Sequence, residues 1–217
     1  FANALAAAAA EFGIALVGGD TTRGPLCLSL QVMGSAPAGT AILRSGARPG
    51  DLVFVSGQLG DARAALAYLD KPLAQLSAAE TALLARYHSP EPRLALGQKL
   101  RGLASAAVDI SDGLAADLGH ILKASGVAAV LYTEYLALSA ALTETNPERA
   151  IEFALSGGDD YELCFTLPAE HREAMLALGA ELNLRLTEVG YVDVGEGLAC
   201  YAADGKVIMP AAGYQHF

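Results

Sequence analysis

The sequence predicts a mixed α/β (α+β) fold, because strand-like and helical segments alternate along most of the chain. Hydrophobic residues make up 53% of the 217 residues and charged residues 18%. This composition supplies a sizeable core and excludes intrinsic disorder. No stretch of about 18 apolar residues runs without a charge or a turn signal, so we expect no membrane-spanning helix and no membrane partner.

The first 40 residues form a region of their own. The Ala-rich segment 1–12 predicts a helix, and the apolar runs 14–17 and 26–34 predict two strands. Turn-forming residues fill 35–40, so we place a domain boundary here, with one domain ending at 36 and an α/β domain over 37–217. The chain lacks an initiating Met and opens inside a helical pattern, which predicts a fragment of a longer protein.

The larger domain alternates between the two kinds of element. Apolar runs bounded by Gly, Pro or Asp predict strands at 52–56, 106–110, 127–132, 161–167 and 186–193, with a Gly-rich hairpin towards 208. Helical spacing, with Asp61 at one N-terminus and a Pro-containing break after residue 87, predicts helices at 60–69, 77–87, 93–103, 114–125, 149–155 and 169–179.

The charge balance limits the classes of ligand. Lys and Arg number 14 against 24 Asp and Glu, a formal charge of −10 that disfavours binding to nucleic acid. Anionic ligands must then be held locally, by metal ions, backbone amides or a few arginines. Cys27, Cys164 and Cys200 are odd in number and have no metal-ligand spacing, so we interpret them as core thiols of a protein in the reducing cytoplasm.

Three acidic clusters stand beside glycine at the ends of apolar segments: 18–20, 109–113 and 156–160. A Gly-Lys phosphate loop is absent from the sequence, and its four histidines are scattered, so a zinc site is not expected. Asp109 and Asp112 can converge on hard divalent cations, which prefer oxygen ligands. Alternatively, Asp112 caps the helix beginning at Leu114 and Asp109 forms a salt bridge.

The other two clusters leave similar alternatives open. Gly18 and Gly19 before Asp20 allow a backbone to approach a ligand closely, or simply form a tight turn. Residues 156–158 suit a helix C-cap, whereas the adjacent carboxylates of Asp159 and Asp160 repel each other unless they are exposed or bridged by a cation. Arg44 is a candidate phosphate contact, although an isolated loop arginine is usually only solvated.

Five segments in order carry a resemblance to a known family: 17–25 (VGGDTTRGP), 43–47 (LRSGA), 109–114 (DISDGL), 155–163 (LSGGDDYEL) and 213–217 (GYQHF). The chain resembles the thiamine-monophosphate kinase family of the aminoimidazole ribonucleotide synthetase-like superfamily. The resemblance implies a two-domain architecture and a homodimer. Residues 1–36 would then be the C-terminal part of an N-terminal ATP-binding domain that is otherwise missing, while the C-terminal domain is complete.

The resemblance also implies an activity and a set of site residues. The family transfers a phosphoryl group from ATP to thiamine monophosphate, giving thiamine diphosphate and ADP, with several Mg²⁺ ions. By motif, the metal ligands are Asp20, Asp109 and Asp112; the ATP contacts are Gly19, Asp20, Arg44 and Ser111; and the substrate contacts are Asp159 and Ala211. Relatives commonly have Glu at position 159, and some have Trp at position 211.

The expected mechanism follows from charge. The acceptor is itself a phosphate whose second pKa near 6 leaves an ionised oxygen at neutral pH, so no general base is required. Two mutually repelling anions must instead be screened and aligned. We expect the isolated chain to be inactive. The alternatives are another ATP-dependent synthetase of the superfamily, related to aminoimidazole ribonucleotide synthetase or to hydrogenase maturation, and a non-catalytic nucleotide-binding or dimerisation module.

Overall fold

The structure is a computed structural model that describes residues 1–210. The chain divides into two compact units, Phe1–Ser35 and the residues from Ala36 onward. Position 211 and the predicted motif at 213–217 lie outside the described residues.

The first unit contains one helix, α1 (Ala2–Glu11), which confirms the helix predicted at 1–12. The strands predicted at 14–17 and 26–34 are wrong, because this segment is neither helix nor strand. Its apolar side chains are exposed; Leu26, for example, is 92% exposed. Alternation of apolar residues forms a strand only when a neighbouring backbone accepts its hydrogen bonds. Cys27 is therefore exposed and is not the core thiol that the sequence predicted.

The second unit is built on a seven-stranded sheet, as the alternating pattern predicted. Its strands are β1 (Leu52–Ser56), β2 (Ala106–Asp109), β3 (Ala128–Tyr132), β4 (Leu163–Leu167), β5 (Leu186–Asp193), β6 (Gly197–Tyr201) and β7 (Val207–Ile208). They lie in the order β2-β4-β1-β5-β3-β6-β7. Neighbouring strands are antiparallel except for the parallel pair β3 and β6.

Both faces of β1 and β4 are covered, which explains why these two strands are mainly apolar. In β1, Val53 and Val55 join one core cluster, whereas Phe54 joins the cluster on the opposite face. There Phe54 stacks on Phe165 of β4, with ring centroids 5.8 Å apart. Because successive strand residues point to opposite faces, a strand buried on both sides shows no polar alternation.

The helices are α2 (Asp61–Ala65), α3 (Ala78–His88), α4 (Leu94–Lys99), α5 (Leu114–Ser125), α6 (Ala140–Thr145), α7 (Ala150–Ser156) and α8 (Arg172–Glu181). Six were predicted; α6 was missed, since its six residues are too few to show a clear helical period. Helix α4 ends four residues earlier than predicted. Within residues 1–210, no helix is both long and apolar enough to cross a membrane.

Candidate functional site

Two of the acidic motifs meet where β2 and β4 lie side by side. Asp109 at the end of β2 pairs with Leu163 at the start of β4. The ladder continues past both strands: the Tyr161 N–H donates to the Ile110 carbonyl (2.9 Å), and the Asp159 N–H donates to the Ser111 carbonyl (3.0 Å). Residues 109–113, here the first acidic loop, therefore lie against residues 156–160, the second acidic loop.

Glycine permits this close approach. A Cβ at Gly158 would lie 2.4 Å from the Ser111 carbonyl oxygen, closer than any unstrained contact. A Cβ at Gly113 would lie 2.8 Å from the Ser156 backbone, and the φ of Gly113 is +112°, in the region that disfavours other residues. Gly158, which the sequence assigned to a possible helix C-cap, and Gly113 thus allow the two loops to lie in contact.

Asp109 and Asp112 have no protein partner among residues 1–210. Asp109 is exposed and Asp112 is partly buried, and no hydrogen bond or ion pair involves either side chain in this part of the chain. Helix α5 has Gly113 at its N-cap position and no side-chain cap, so Asp112 does not cap it. The alternative in which Asp112 caps α5 is therefore wrong, and Asp109 forms no salt bridge within residues 1–210.

The carboxylates of the two loops share one electrostatic neighbourhood. The pKa of Tyr161 is raised by partial burial and then by the negative charge of Asp159, Asp109 and Asp112. The Tyr161 hydroxyl also donates a hydrogen bond to Asp159 Oδ1 at 3.2 Å. The structure thus brings Asp109, Ser111, Asp112 and Asp159 together around two touching loops.

The backbone of the second loop adopts uncommon conformations. Asp159 has φ +67° and Tyr161 has φ +50°. Asp tolerates this left-handed region, but a bulky residue such as Tyr rarely adopts it, at a cost on the order of 1 kcal/mol or more. Such conformations persist only where the surrounding structure fixes them.

Two buried carboxylates fix this loop through hydrogen bonds to other parts of the second unit. Asp160, only 4% exposed, accepts the Gly60 N–H at the start of α2 (2.8 Å). Burial raises the pKa of Asp160 to about 8, although the amides of Gly60 and Ala62 oppose that change. Asp160 is thus buried and bound to a backbone amide, whereas the neighbouring Asp159 is only partly buried.

Glu162 is the second anchor. Its buried carboxylate accepts hydrogen bonds from the Ser56 hydroxyl (2.6 Å), Arg86 (2.8 Å) and both Nε and Nη2 of Arg93 (2.7 and 2.6 Å). Burial alone would raise the pKa of Glu162, but the hydrogen bonds from Arg93 and Ser56 outweigh it and lower the pKa. Asp160 and Glu162 therefore hold the flanks of Tyr161 in place.

Asp117 stabilises the first acidic loop from inside α5. It is 2% exposed, and its Oδ2 accepts the N–H groups of both Ser111 and Asp112 at 2.9 Å. Burial raises the pKa of Asp117, the two backbone hydrogen bonds oppose this, and the nearby Asp112 and Asp109 add to the rise.

The other predicted site residues are not part of the two acidic loops. The backbone of Arg44 contacts Ser125 at the C-terminal end of α5: the Ser125 hydroxyl donates to the Arg44 carbonyl (3.4 Å) and accepts the Gly46 N–H (3.1 Å). The first acidic loop is at the other end of this helix, about 17 Å away. Gly19 and Asp20 belong to the first unit, where the Asp20 carboxylate accepts only the Thr21 N–H (2.8 Å) among the described residues. Ala211 lies outside the described residues.

The donor set suits a hard cation that needs few protein ligands. Within residues 1–210, no three His, Cys, Asp or Glu side chains form a group able to hold a metal ion by themselves. Mg²⁺ is commonly bound by one or two carboxylates, with water and substrate phosphates completing its shell. Asp109 and Asp112 are carboxylates without a basic partner in the part of the chain that the structure describes, and they fit that pattern.

Sequence reasoning missed Asp117, Glu162 and the two arginines that bind Glu162. Asp117 carried a signal, since it lies on the apolar face of α5 with Leu114, Leu118 and Ile121, at helical spacing. A carboxylate on a buried helix face needs an internal partner. Glu162 carried none, because its arginine partners are 69 and 76 residues away in the chain.

Comparisons with known proteins agree with this fold. Residues 48–202 match the family AIR synthase related protein, C-terminal domain. The Thiamine-monophosphate kinase of Escherichia coli strain K12 is 47% identical over 212 residues, which cover 95% of this chain and 64% of that protein. The chain therefore spans about two thirds of the length of this curated relative.

Solved structures give the same family. The crystal structure of Thiamine-monophosphate kinase from Stenotrophomonas maltophilia K279a has a TM-score of 0.72 and 44% identity, covering 78% of this chain and 55% of that one. AaThiL complexed with AMPPCP and TMP has a TM-score of 0.70 and 40% identity, covering 81% and 54%. The fold and the family match thus define the class, the AIR synthase related proteins. Within this class, the chain belongs to the thiamine-monophosphate kinase family.

Proposed function

We propose that the protein containing this chain transfers a phosphoryl group from ATP to thiamine monophosphate, giving thiamine diphosphate and ADP. The observation that carries the proposal is the contact between the two acidic loops, which gathers Asp109, Asp112 and Asp159 without a basic partner among residues 1–210. Relatives of 40–47% identity that are thiamine-monophosphate kinases support this activity over that of another synthetase.

Asp109 and Asp112, together with Asp20, are the proposed ligands of several Mg²⁺ ions. Both residues of the first loop present oxygen donors that no residue of the described chain neutralises. When bound, Mg²⁺ supplies positive charge that offsets the repulsion between the phosphates. The structural role of the loops is to hold their carboxylates at a fixed separation while the substrates bind.

The remaining roles concern the two substrates. Ser111, Arg44, Gly19 and Asp20 are the proposed ATP contacts, and Asp159 and Ala211 are the proposed contacts to thiamine monophosphate. Support comes from the neighbouring positions of Ser111 and Asp159, joined by a backbone hydrogen bond of 3.0 Å. The AaThiL structure, complexed with AMPPCP and TMP, supports an adenine nucleotide and a phosphate ester as the ligands of such a site.

The chemistry requires alignment more than proton transfer. The acceptor phosphate has an ionised oxygen at neutral pH, so the residues need not remove a proton before it attacks the γ-phosphorus. The obstacle is repulsion, since two unit charges about 4 Å apart interact by roughly 4 kcal/mol at an effective dielectric constant of 20. We further propose that the protein works in the cytoplasm as a homodimer, as the family resemblance implies.

The test of this function is Asp112→Asn in the longer protein that contains this chain. Even a residue that only supports a metal ligand contributes about 10- to 100-fold, so we expect turnover to fall by about 100-fold or more. The fold should be kept, because the Asp112 side chain has no described protein partner. Chromatographic measurement of thiamine diphosphate and ADP, as a function of Mg²⁺ concentration, gives the result.

The matched control is Asp70→Asn, which changes an exposed aspartate outside the two acidic loops. We expect it to leave turnover close to that of the unchanged protein. Unaltered kinetics for Asp112→Asn would remove Asp112 from the site. The chain of residues 1–217 alone is expected to be inactive, and thiamine diphosphate formed by that purified chain would contradict the need for further residues.

A further inference from the structure

We propose that Asp117 is a positioning residue of this site, fixing the backbone of the first acidic loop through its carboxylate oxygen. The proposal rests on the proposed function for its catalytic consequence. It concerns a residue outside the predicted site that would act through Ser111 and Asp112.

The geometry is specific. Asp117 lies in the first turn of α5, is 2% exposed, and packs on the helix face that also carries the buried Leu114 and Leu118. Its Oδ2 accepts two consecutive backbone amides, those of Ser111 and Asp112, each at 2.9 Å. Two hydrogen bonds to one atom fix two successive peptide groups, and with them the direction in which both side chains leave the backbone.

Packing alone does not account for this residue. An apolar side chain would suit the buried face of α5 better, because burying a carboxylate is costly unless hydrogen bonds compensate. No ion pair involves Asp117 within residues 1–210. The backbone amides that its carboxylate accepts, those of Ser111 and Asp112, precede α5, so Asp117 does not cap the amides of its own helix. The compensation comes instead from the loop that carries the proposed ligands.

The opposite side of this loop is held independently. The Ser111 carbonyl accepts the Asp159 N–H, and the Ile110 carbonyl accepts the Tyr161 N–H. The second acidic loop thus holds the carbonyls, while Asp117 holds the amides. Without Asp117, the Ser111 and Asp112 amides would be the unsatisfied part of an otherwise fixed turn.

Two variants separate the hydrogen bond from the charge. Asp117→Ala removes the acceptor, whereas Asp117→Asn can place its carbonyl oxygen where Oδ2 lies and still accept both amides. In the longer protein, we expect Asp117→Ala to raise the Mg²⁺ concentration needed for half-maximal AMPPCP binding by about 10- to 100-fold. We expect Asp117→Asn to restore it to within about threefold of the unchanged protein. Calorimetry measures this binding.

Amide hydrogen exchange provides a readout that does not depend on any ligand. Asp117→Ala should speed exchange at Ser111 and Asp112, and Asp117→Asn should not. Ser77→Ala is the matched control, because it also removes a side-chain acceptor of a backbone N–H, that of Glu80 at the start of α3 (3.1 Å). It should leave both AMPPCP binding and the exchange at 111–112 unchanged. If Asp117→Ala does not fold, Asp117→Leu deletes the acceptor while keeping an apolar helix face.

The outcomes decide whether Asp117 positions the first acidic loop through its hydrogen bonds. Unchanged exchange at Ser111 and Asp112 in the acceptor-deleting variant would overturn the proposal, as would unchanged Mg²⁺-dependent binding of AMPPCP. A loss in Asp117→Asn as large as that in Asp117→Ala would mean that the charge is required, and would also overturn it. If the unchanged longer protein forms no thiamine diphosphate, the proposed function fails, and the exchange experiment still decides the role of Asp117.

Discussion

Glu162 anchors the second acidic loop from inside the protein, and Glu162→Gln tests that anchor. The side chain is 1% exposed and accepts four hydrogen bonds, three of them from Arg86 and Arg93. Glutamine keeps one carbonyl acceptor but turns an amide group towards guanidinium donors. Removing one partner of a buried ion pair typically costs about 3–5 kcal/mol, because the other charge remains buried.

The structure favours the lower end of that range. Arg93 keeps a second ion pair with Glu91 at 2.9 Å, and the Arg86 side chain is 29% exposed, so water can hydrate it in part. A loss of about 3 kcal/mol lowers the melting temperature of a chain of this size by about 6–12 °C. Thermal unfolding followed by circular dichroism measures it.

The control variant and the pH dependence make this prediction specific. Glu181→Gln removes one partner of an exposed ion pair with Lys99, and should melt close to the unchanged protein. Because the pKa of Glu162 is lowered on folding, its stabilisation is present above the unfolded value of about 4.5 and is lost as the pH falls through the folded pKa. The melting temperatures of Glu162→Gln and of the unchanged protein should therefore become similar at acid pH. Equal melting temperatures at pH 7 would refute the reasoning.

Two further predictions concern the same loop. The pKa of Asp160 is raised to about 8 on folding, so its burial costs more free energy as the pH rises from about 4 to about 8. Asp160→Asn should gain stability relative to the unchanged protein over that range. Urea unfolding of both proteins at several pH values measures the difference in their free energies of unfolding, and a difference that does not change with pH would disprove this. Gly158→Ala places a Cβ 2.4 Å from the Ser111 carbonyl and should lower the melting temperature, whereas Gly97→Ala in α4 meets no atom within 4 Å and should not. Similar melting temperatures for the two alanine variants would contradict the close contact of the loops.

Local pattern was enough to predict most of the elements and the ends of the strands that carry the site. The strand ending before Asp112 and the helix beginning at Leu114 are where the sequence predicts them, since apolar period and glycine positions are local properties. The prediction of two strands before residue 35 was wrong because strand formation is not a local property. Whether residues 26–34 form a strand depends on a neighbouring strand, which no property of the segment supplies.

The sequence was enough to predict the acidic residues of the candidate site, but not the residues that hold the two loops in place. Asp109, Asp112 and Asp159 stand out because they belong to acidic clusters that contain glycine at the ends of apolar segments. Their nearness depends on the pairing of β2 with β4, which joins residues as far apart in the sequence as Asp109 and Leu163. The groups that hold the loops, such as Glu162, depend on contacts even further apart in the chain. The motif around Arg44 predicted an ATP contact, yet the Arg44 backbone lies at the end of α5 that is far from these loops.

The ladder that joins the two acidic loops also limits how these loops can move relative to each other. Three consecutive interstrand hydrogen bonds connect 110–111 with 159–162, so neither loop can slide or swing without breaking them. We therefore expect the two loops to move together. If these loops carry the proposed phosphoryl transfer, a rearrangement that excludes bulk water would come from parts of the molecule outside the two loops.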